Sequence, residues 1–143
     1  MKITTEKNVS YTVEERFLYE CLVSIMGRLF LPDNMSSYAE CYNILGRIEL
    51  KGRKACADIR DIFSEKGITI EKKRLDMFLL CDKDVYMRTK WEEYVETSQS
   101  KTNASWEEVY GRIVDFISPL WNALCEDEFY LCDWIGELGR YLD

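Results

Sequence analysis

The sequence predicts an all-α fold. It is expected to be a single domain over residues 1–143, with six to eight helices packed around a central buried hydrophobic helix at about 105–125. Three observations predict it. Apolar residues recur at helical rather than strand spacing through most of the chain. Three Ser/Thr residues stand one turn ahead of a Glu, the pattern that starts a helix: Thr12 with Glu15, Ser37 with Glu40, and Ser105 with Glu108. One segment, 105–125, is apolar almost all the way round, which a helix tolerates when it is buried on several sides.

The elements follow in order. In 12–31, Phe17, Leu18, Cys21, Leu22, Ile25, Met26, Leu29 and Phe30 line one helix face, and Pro32 lies just past the end. Ser37 and Glu40 lead into Cys41, Ile44, Leu45 and Ile48, and Gly52 marks a break or bend. A short helix over Arg53–Phe63 turns Ala55, Cys56, Ile59, Ile62 and Phe63 inward, with Gly67 as its C-terminal residue. The stretch 71–97 carries Leu75, Phe78, Leu79, Val85, Tyr86, Trp91, Tyr94 and Val95, and a break at Cys81–Asp84 divides it. Residues 98–105, SQSKTNAS, read as a polar loop.

The central helix then presents Val109, Ile113, Val114, Phe116, Ile117, Leu120, Trp121, Leu124 and Cys125, over roughly 30 Å at 1.5 Å per residue. Pro119 is expected to bend it, because its ring clashes with the carbonyl four residues back. After a turn at Cys125–Glu128, the apolar residues Phe129, Leu131, Cys132, Ile135, Leu138 and Leu142 predict a last helix folded back antiparallel on the central one. The only β-like piece is Gly67–Ile70.

Composition narrows the function. Hydrophobic residues are 47% and charged residues 31%, with 7 Gly and 2 Pro, so the chain is globular rather than disordered or low in complexity. A net charge of −7 repels phosphate, and no nucleic-acid partner is expected. With no His, the Ser-His and Cys-His nucleophile pairs and every His metal site are excluded. The 6 Cys include no C-x-x-C spacing and read as reduced thiols that act as small core hydrophobes. No cofactor or metal is expected. The opening MKITTEKNVS has no apolar core of a signal peptide, and the longest apolar run, Met77–Cys81, is too short for a membrane span. Glu107, Glu108, Asp127 and Glu128 are acids placed at helix starts, where the dipole favours them, so an enzyme is not expected.

One pair stands out. Gly111 and Arg112 occupy the first turns of the buried helix, in Val109-Tyr-Gly-Arg-Ile-Val114. Gly costs about 1 kcal/mol there relative to Ala, and Arg is seldom placed in an apolar helix without a partner. Structurally, Gly111 would permit a close internal helix contact and Arg112 would face solvent. Functionally, Gly111 would admit a foreign helix and Arg112 would meet a carboxylate on it in a fork-shaped pair.

VYGRIVDFIS followed by NALCED resembles the first homology motif of the Bcl-2 family, which begins Asn-Trp-Gly-Arg-Ile-Val and continues to Ala-Leu-Cys. Gly111, Arg112, Ile113 and Val114 match, and so does Ala123-Leu-Cys125 with one extra residue between. Glu49-Leu-Lys-Gly-Arg-Lys-Ala-Cys-Ala-Asp-Ile59 is similar to the family's groove-lining segment Glu-Leu-Arg-Tyr-Arg-Arg-Ala-Phe-Ser-Asp-Leu. Trp134-Ile-Gly-Glu-Leu-Gly-Arg-Tyr141 resembles the second homology motif, Trp-Ile-x-Glu-x-Gly-Gly-Trp. The matches are in chain order over about 49–141.

Departures accompany them. Val109 and Tyr110 replace the family's Asn and Trp, Asp115 replaces an Ala, and neither the third homology motif nor a C-terminal anchor is found. On this resemblance, 128–142 is either the family's sixth helix or a helix of the second motif.

The resemblance implies a hydrophobic groove that binds the amphipathic BH3 helix of pro-apoptotic Bcl-2 proteins. Ile48, Cys56, Ile59, Val95, Tyr110, Gly111, Arg112 and Val114 would line it. A divergent, anchorless chain of this kind looks like a pro-survival homologue from a large DNA virus, such as an iridovirus or a poxvirus. It would block mitochondrial apoptosis from the host cytoplasm, reaching mitochondria through its partners. Homodimers occur among such relatives. The resemblance also admits a viral inhibitor of inflammatory signalling that acts through surfaces other than the groove.

Overall fold

The computed structural model describes residues 11–29, 35–97 and 103–142. Six α-helices dominate: α1 (Val13–Arg28), α2 (Ser36–Leu45), α3 (Gly52–Glu65), α4 (Lys72–Leu79), α5 (Val85–Thr97) and α6 (Trp106–Cys125), with a 3-10 turn at Leu80–Lys83 between α4 and α5. Three short strands, β1 (Glu49–Leu50), β2 (Asp133–Ile135) and β3 (Arg140–Leu142), form one antiparallel sheet in the order β1-β2-β3. The described chain is thus mostly helical, as expected, but not all-α. No helix among the described residues is long and apolar enough to cross a membrane.

Two of the three start signals form complete capping boxes. The Thr12 hydroxyl accepts from the Glu15 N–H at 3.0 Å while the Glu15 carboxylate accepts from the Thr12 N–H at 3.0 Å. Ser105 and Glu108 do the same at 3.1 and 2.9 Å. The third differs. Helix α2 begins one residue ahead of Ser37, and its cap is Met35, which offers no side-chain hydrogen bond. Met35 is buried, and its carbonyl accepts from the Tyr38 and Ala39 N–H groups, so packing and main chain set this start. Gly52 opens α3 rather than breaking a helix, and Gly67 ends it at φ +76, with the Ile68 N–H returning to the Phe63 carbonyl. The expected break in 71–97 is the 3-10 turn. Gly67–Ile70 is not a strand. Phe30, Leu31 and Pro32, and residues 98–102 of the expected loop, lie outside the described residues.

Helix α6 is the centre of the molecule. Val109, Ile113, Phe116, Ile117, Leu120 and Trp121 are fully buried, and the helix touches α2, α3, α4, α5 and β3. Trp106 meets Tyr38 and Arg112 meets Tyr42, so α2 runs alongside in the same direction. The Trp121 indole donates to the Glu71 carbonyl and the Tyr110 ring meets Phe78, so α4 runs the other way. The helix continues through Pro119, which has no N–H to offer the Asp115 carbonyl. The next carbonyl, that of Phe116, accepts from the Tyr141 hydroxyl at 2.6 Å.

The helix expected over 128–142 is absent. This segment is neither the sixth helix nor a second-motif helix but the β2–β3 hairpin, turned at Gly136–Gly139 with Gly139 at φ +66. Trp134 and Tyr141 are directly opposed in the register and both face the core. Leu131, Leu138 and Leu142, which a helix would have turned inward, are exposed. Two glycines in the segment weaken a helix, and the edge of β1 supplies the hydrogen-bond partner that a lone hairpin lacks.

The hairpin also closes helix ends. Asp133 accepts from the Gly52 N–H at 3.2 Å, supplying α3 with the N-terminal acceptor that its own cap, Lys51, does not. The Trp134 indole donates at 2.9 Å to the Leu45 carbonyl, in the last turn of α2.

Helices α1 and α3 are joined by a polar cluster. Lys54 donates to Glu15 at 3.1 Å and to Asp58 at 2.8 Å, and the Tyr19 hydroxyl donates to Asp58 at 3.2 Å. Burial disfavours the ammonium, but its bonds to Asp58 and Glu15 outweigh this and hold the Lys54 pKa above the usual 10.5. Its stabilisation is therefore whole below that pH and is lost only as alkali passes the raised value. Burial raises the Asp58 pKa above 3.8, and Lys54, shared with Glu15, offsets only part of that. Lys54→Met leaves two crowded carboxylates and is expected to cost about 2 kcal/mol at neutral pH. Urea unfolding at descending pH should show the loss shrinking as Asp58 takes up a proton and no longer needs a cation.

All 6 Cys are free thiols, and Cys21, Cys41, Cys56 and Cys81 are buried. Burial pushes Cys21 up to about 11 and Cys81 up to about 12, so both stay protonated and pack as small hydrophobes.

Candidate functional site

Gly111 and Arg112 lie in the second turn of α6, where the helix passes α2. Arg112 is half-buried. Its Nη1 donates to the Tyr42 carbonyl at 3.1 Å, and the guanidinium carbon sits 4.0 Å from the centre of the Tyr42 ring. Tyr42 belongs to the last turn of α2, whose carbonyls favour a cation. Gly46 makes room for the guanidinium, because a Cβ there would stand 2.7 Å from Nη1. Among the described residues, no carboxylate forms an ion pair with Arg112.

Gly111 is the opposite case. A Cβ built on it meets no heavy atom within 4 Å. The close internal helix contact that would explain a glycine here is therefore missing from the described residues. Val114, one turn on, is half-buried at the edge of the core.

Four of the other expected groove residues, Ile48, Cys56, Ile59 and Tyr110, are core side chains. Tyr110 is 5% exposed, and its hydroxyl donates to the Phe78 carbonyl at 2.8 Å, so it belongs to the core. Ile48 is 8% exposed, and its carbonyl accepts from the Gly136 N–H of the hairpin turn. Cys56 is fully buried, and its sulfur accepts from the Tyr130 N–H at 3.3 Å; Ile59 is also fully buried. Val95 lines a separate cleft between α5 and the start of α6.

Two of the concave regions among the described residues are open to solvent. One, of about 410 Å³, lies at the end of α3 between Arg60, Ser64, Ile68, Ile70 and Leu124. The other, of about 270 Å³, is the α5–α6 cleft, floored by Trp91, Val95 and Trp106. Neither is lined by Gly111 or Arg112. Nothing in the motif pointed to Tyr42 or Gly46. Their spacing of one helical turn, which puts them on one face, is the signal that could have found them.

The chain matches no known family pattern, no curated protein and no solved structure.

Proposed function

We propose that this chain is a Bcl-2-like pro-survival protein, of viral type, that holds the BH3 helix of a pro-apoptotic partner against the Gly111–Arg112 face of α6. One observation carries the reading. Gly111 forgoes about 1 kcal/mol of helix stability, yet no part of the described chain uses the space it leaves. A glycine kept open on the outside of a helix suits the close approach of a second helix. Beside it, Arg112 has one nitrogen on Tyr42 and no carboxylate partner among the described residues, which leaves the rest of its fork to orient an acidic residue of the ligand. The protein would act in the host cytoplasm and reach mitochondria through its partners.

The test is calorimetric titration with a panel of BH3 peptides. Gly111→Ala is expected to raise stability by about 1 kcal/mol while weakening peptide binding. Arg112→Glu is expected to weaken binding at least tenfold, roughly 1.4 kcal/mol or more, with far-UV dichroism still helical. Unchanged affinity in both variants would remove this face from the binding site.

A second reading is favoured by a specific observation. Ile48, Cys56, Ile59 and Tyr110 are all within the core, as they would be in a relative whose groove is filled and which inhibits inflammatory signalling through other surfaces. For that protein no BH3 peptide gives heat, although the chain is folded.

A further inference from the structure

The concave region at the end of α3, of about 410 Å³, differs from the Gly111–Arg112 face in the chemistry of its walls. Ile68, Ile70 and Leu124 give it aliphatic sides, and Arg60, Ser64 and Thr69 supply its polar side chains. No described Asp or Glu lines it, in a chain whose net charge is −7. Its volume falls in the range of small-molecule pockets, about 300–1,000 Å³.

The helix ends beside it use up their own acceptors. The carbonyls of Ile62, Phe63 and Ser64 at the end of α3, and of Ala123 and Leu124 at the end of α6, each accept from a main-chain N–H. Among the described residues, Arg60 forms no ion pair, and the Ser64 and Thr69 hydroxyls have no hydrogen-bond partner. A cation and two hydroxyls are therefore left to a ligand. Arg60 is also restrained, because its guanidinium carbon lies 5.1 Å from the centre of the Phe129 ring. Stacking takes one face of a guanidinium and leaves its edge N–H groups for an acceptor. The same ring carries Arg53 at 5.3 Å, so two cations stand at this corner with no carboxylate in an ion pair with either among the described residues. Gly67, at φ +76, keeps the region open, since a Cβ there meets no heavy atom within 4 Å.

These features constrain a ligand jointly. Donors around a cation favour an anion, and one guanidinium in the lining matches a single carboxylate in fork geometry. The aliphatic wall favours an apolar body on the same molecule. We infer that the region binds a small amphiphilic carboxylate of the fatty-acid type. The carboxylate pairs with Arg60 and accepts from the Ser64 or Thr69 hydroxyl, and the chain lies against Ile68, Ile70 and Leu124. This site does not depend on the reading of the Gly111–Arg112 face.

The test uses the full chain labelled with nitrogen-15 and octanoate as the probe, kept below the concentration at which it forms micelles. Octylammonium keeps the chain and reverses the charge. Butyrate keeps the charge and shortens the chain. Octanoate is expected to move the amide cross-peaks of residues 67–70 saturably, and octylammonium is expected not to. Butyrate should bind at least about fivefold more weakly, because it buries fewer methylene groups. Arg60→Gln is expected to lose about fivefold in affinity for octanoate. Arg60 is exposed, so the variant keeps its fold, which its remaining cross-peaks report. Lys83→Gln makes the same change of charge in the 3-10 turn, away from the lining residues, and is expected to bind octanoate like the parent chain. The proposal is overturned by cross-peaks that octanoate leaves in place or moves without saturation across the whole chain. It is equally overturned by octylammonium or butyrate binding as well as octanoate, by an unaffected Arg60 variant, or by an equal loss in the Lys83 variant.

Discussion

Trp134→Ala is expected to lower the free energy of unfolding by about 4 kcal/mol, in the range for truncating a buried Trp. Trp134 is completely buried, packed edge-on against Phe116 of α6 at 5.4 Å and against Tyr141 at 5.1 Å. Its indole also satisfies the Leu45 carbonyl. The substitution thus leaves a cavity beneath the sheet and an unpaired acceptor at the end of α2. Equilibrium urea unfolding checks it. Trp134→Phe separates the two effects: it keeps most of the packing and loses the hydrogen bond, for about 1–2 kcal/mol. A loss below about 1 kcal/mol for the alanine variant, far under the usual cost, would mean that the hairpin is not docked as described.

Gly52→Ala is expected to cost about 3 kcal/mol, at the upper end for overpacking. A Cβ at Gly52 would collide with the carbonyl oxygens of Tyr130 and Cys132 and lie 3.2 Å from the Cys132 carbonyl carbon. These are main-chain atoms, so no rotamer change relieves the clash. Relief requires the hairpin to lift away, which also breaks the Asp133 bond to the Gly52 N–H. Helix propensity alone would have Ala improve on Gly. The same substitution at Gly111, where the space is empty, should stabilise. Thermal unfolding of the two variants side by side should therefore show shifts of opposite sign.

The helices were legible because local signals agree. Thr12 with Glu15 and Ser105 with Glu108 cap the helices that the apolar spacing already marks, and the near-continuous apolar surface of 105–125 required a helix buried on many sides. The hairpin was not legible. Only Trp134 and Tyr141 turn inward from it, and two residues at that spacing satisfy a helical pattern as well as a cross-strand pair. The decisive partner, Glu49–Leu50, is remote in sequence and too short to announce a strand. Met35 could not have been named as the cap of α2, because its burial rather than its side-chain chemistry starts the helix.

The candidate site divides in the same way. Gly111 and Arg112 stood out because their residue types conflict with a buried helix. What surrounds Arg112, the Tyr42 ring and the gap at Gly46, depends on how α2 lies against α6. Ile48, Cys56, Ile59 and Tyr110 carry apolar character that serves a groove floor and a core equally well, and sequence cannot separate the two. The α5–α6 cleft arises only when Glu92 and Glu96 are placed opposite the start of α6.

Asp133, Trp134 and Tyr141 complete hydrogen bonds for α3, α2 and α6. During synthesis these helices leave the ribosome well before the residues that finish them. The nascent chain therefore holds an open carbonyl at Leu45 and an unmatched amide at Gly52 until residues 133–142 have emerged. Native cooperativity arrives late, when the hairpin locks three helices at once.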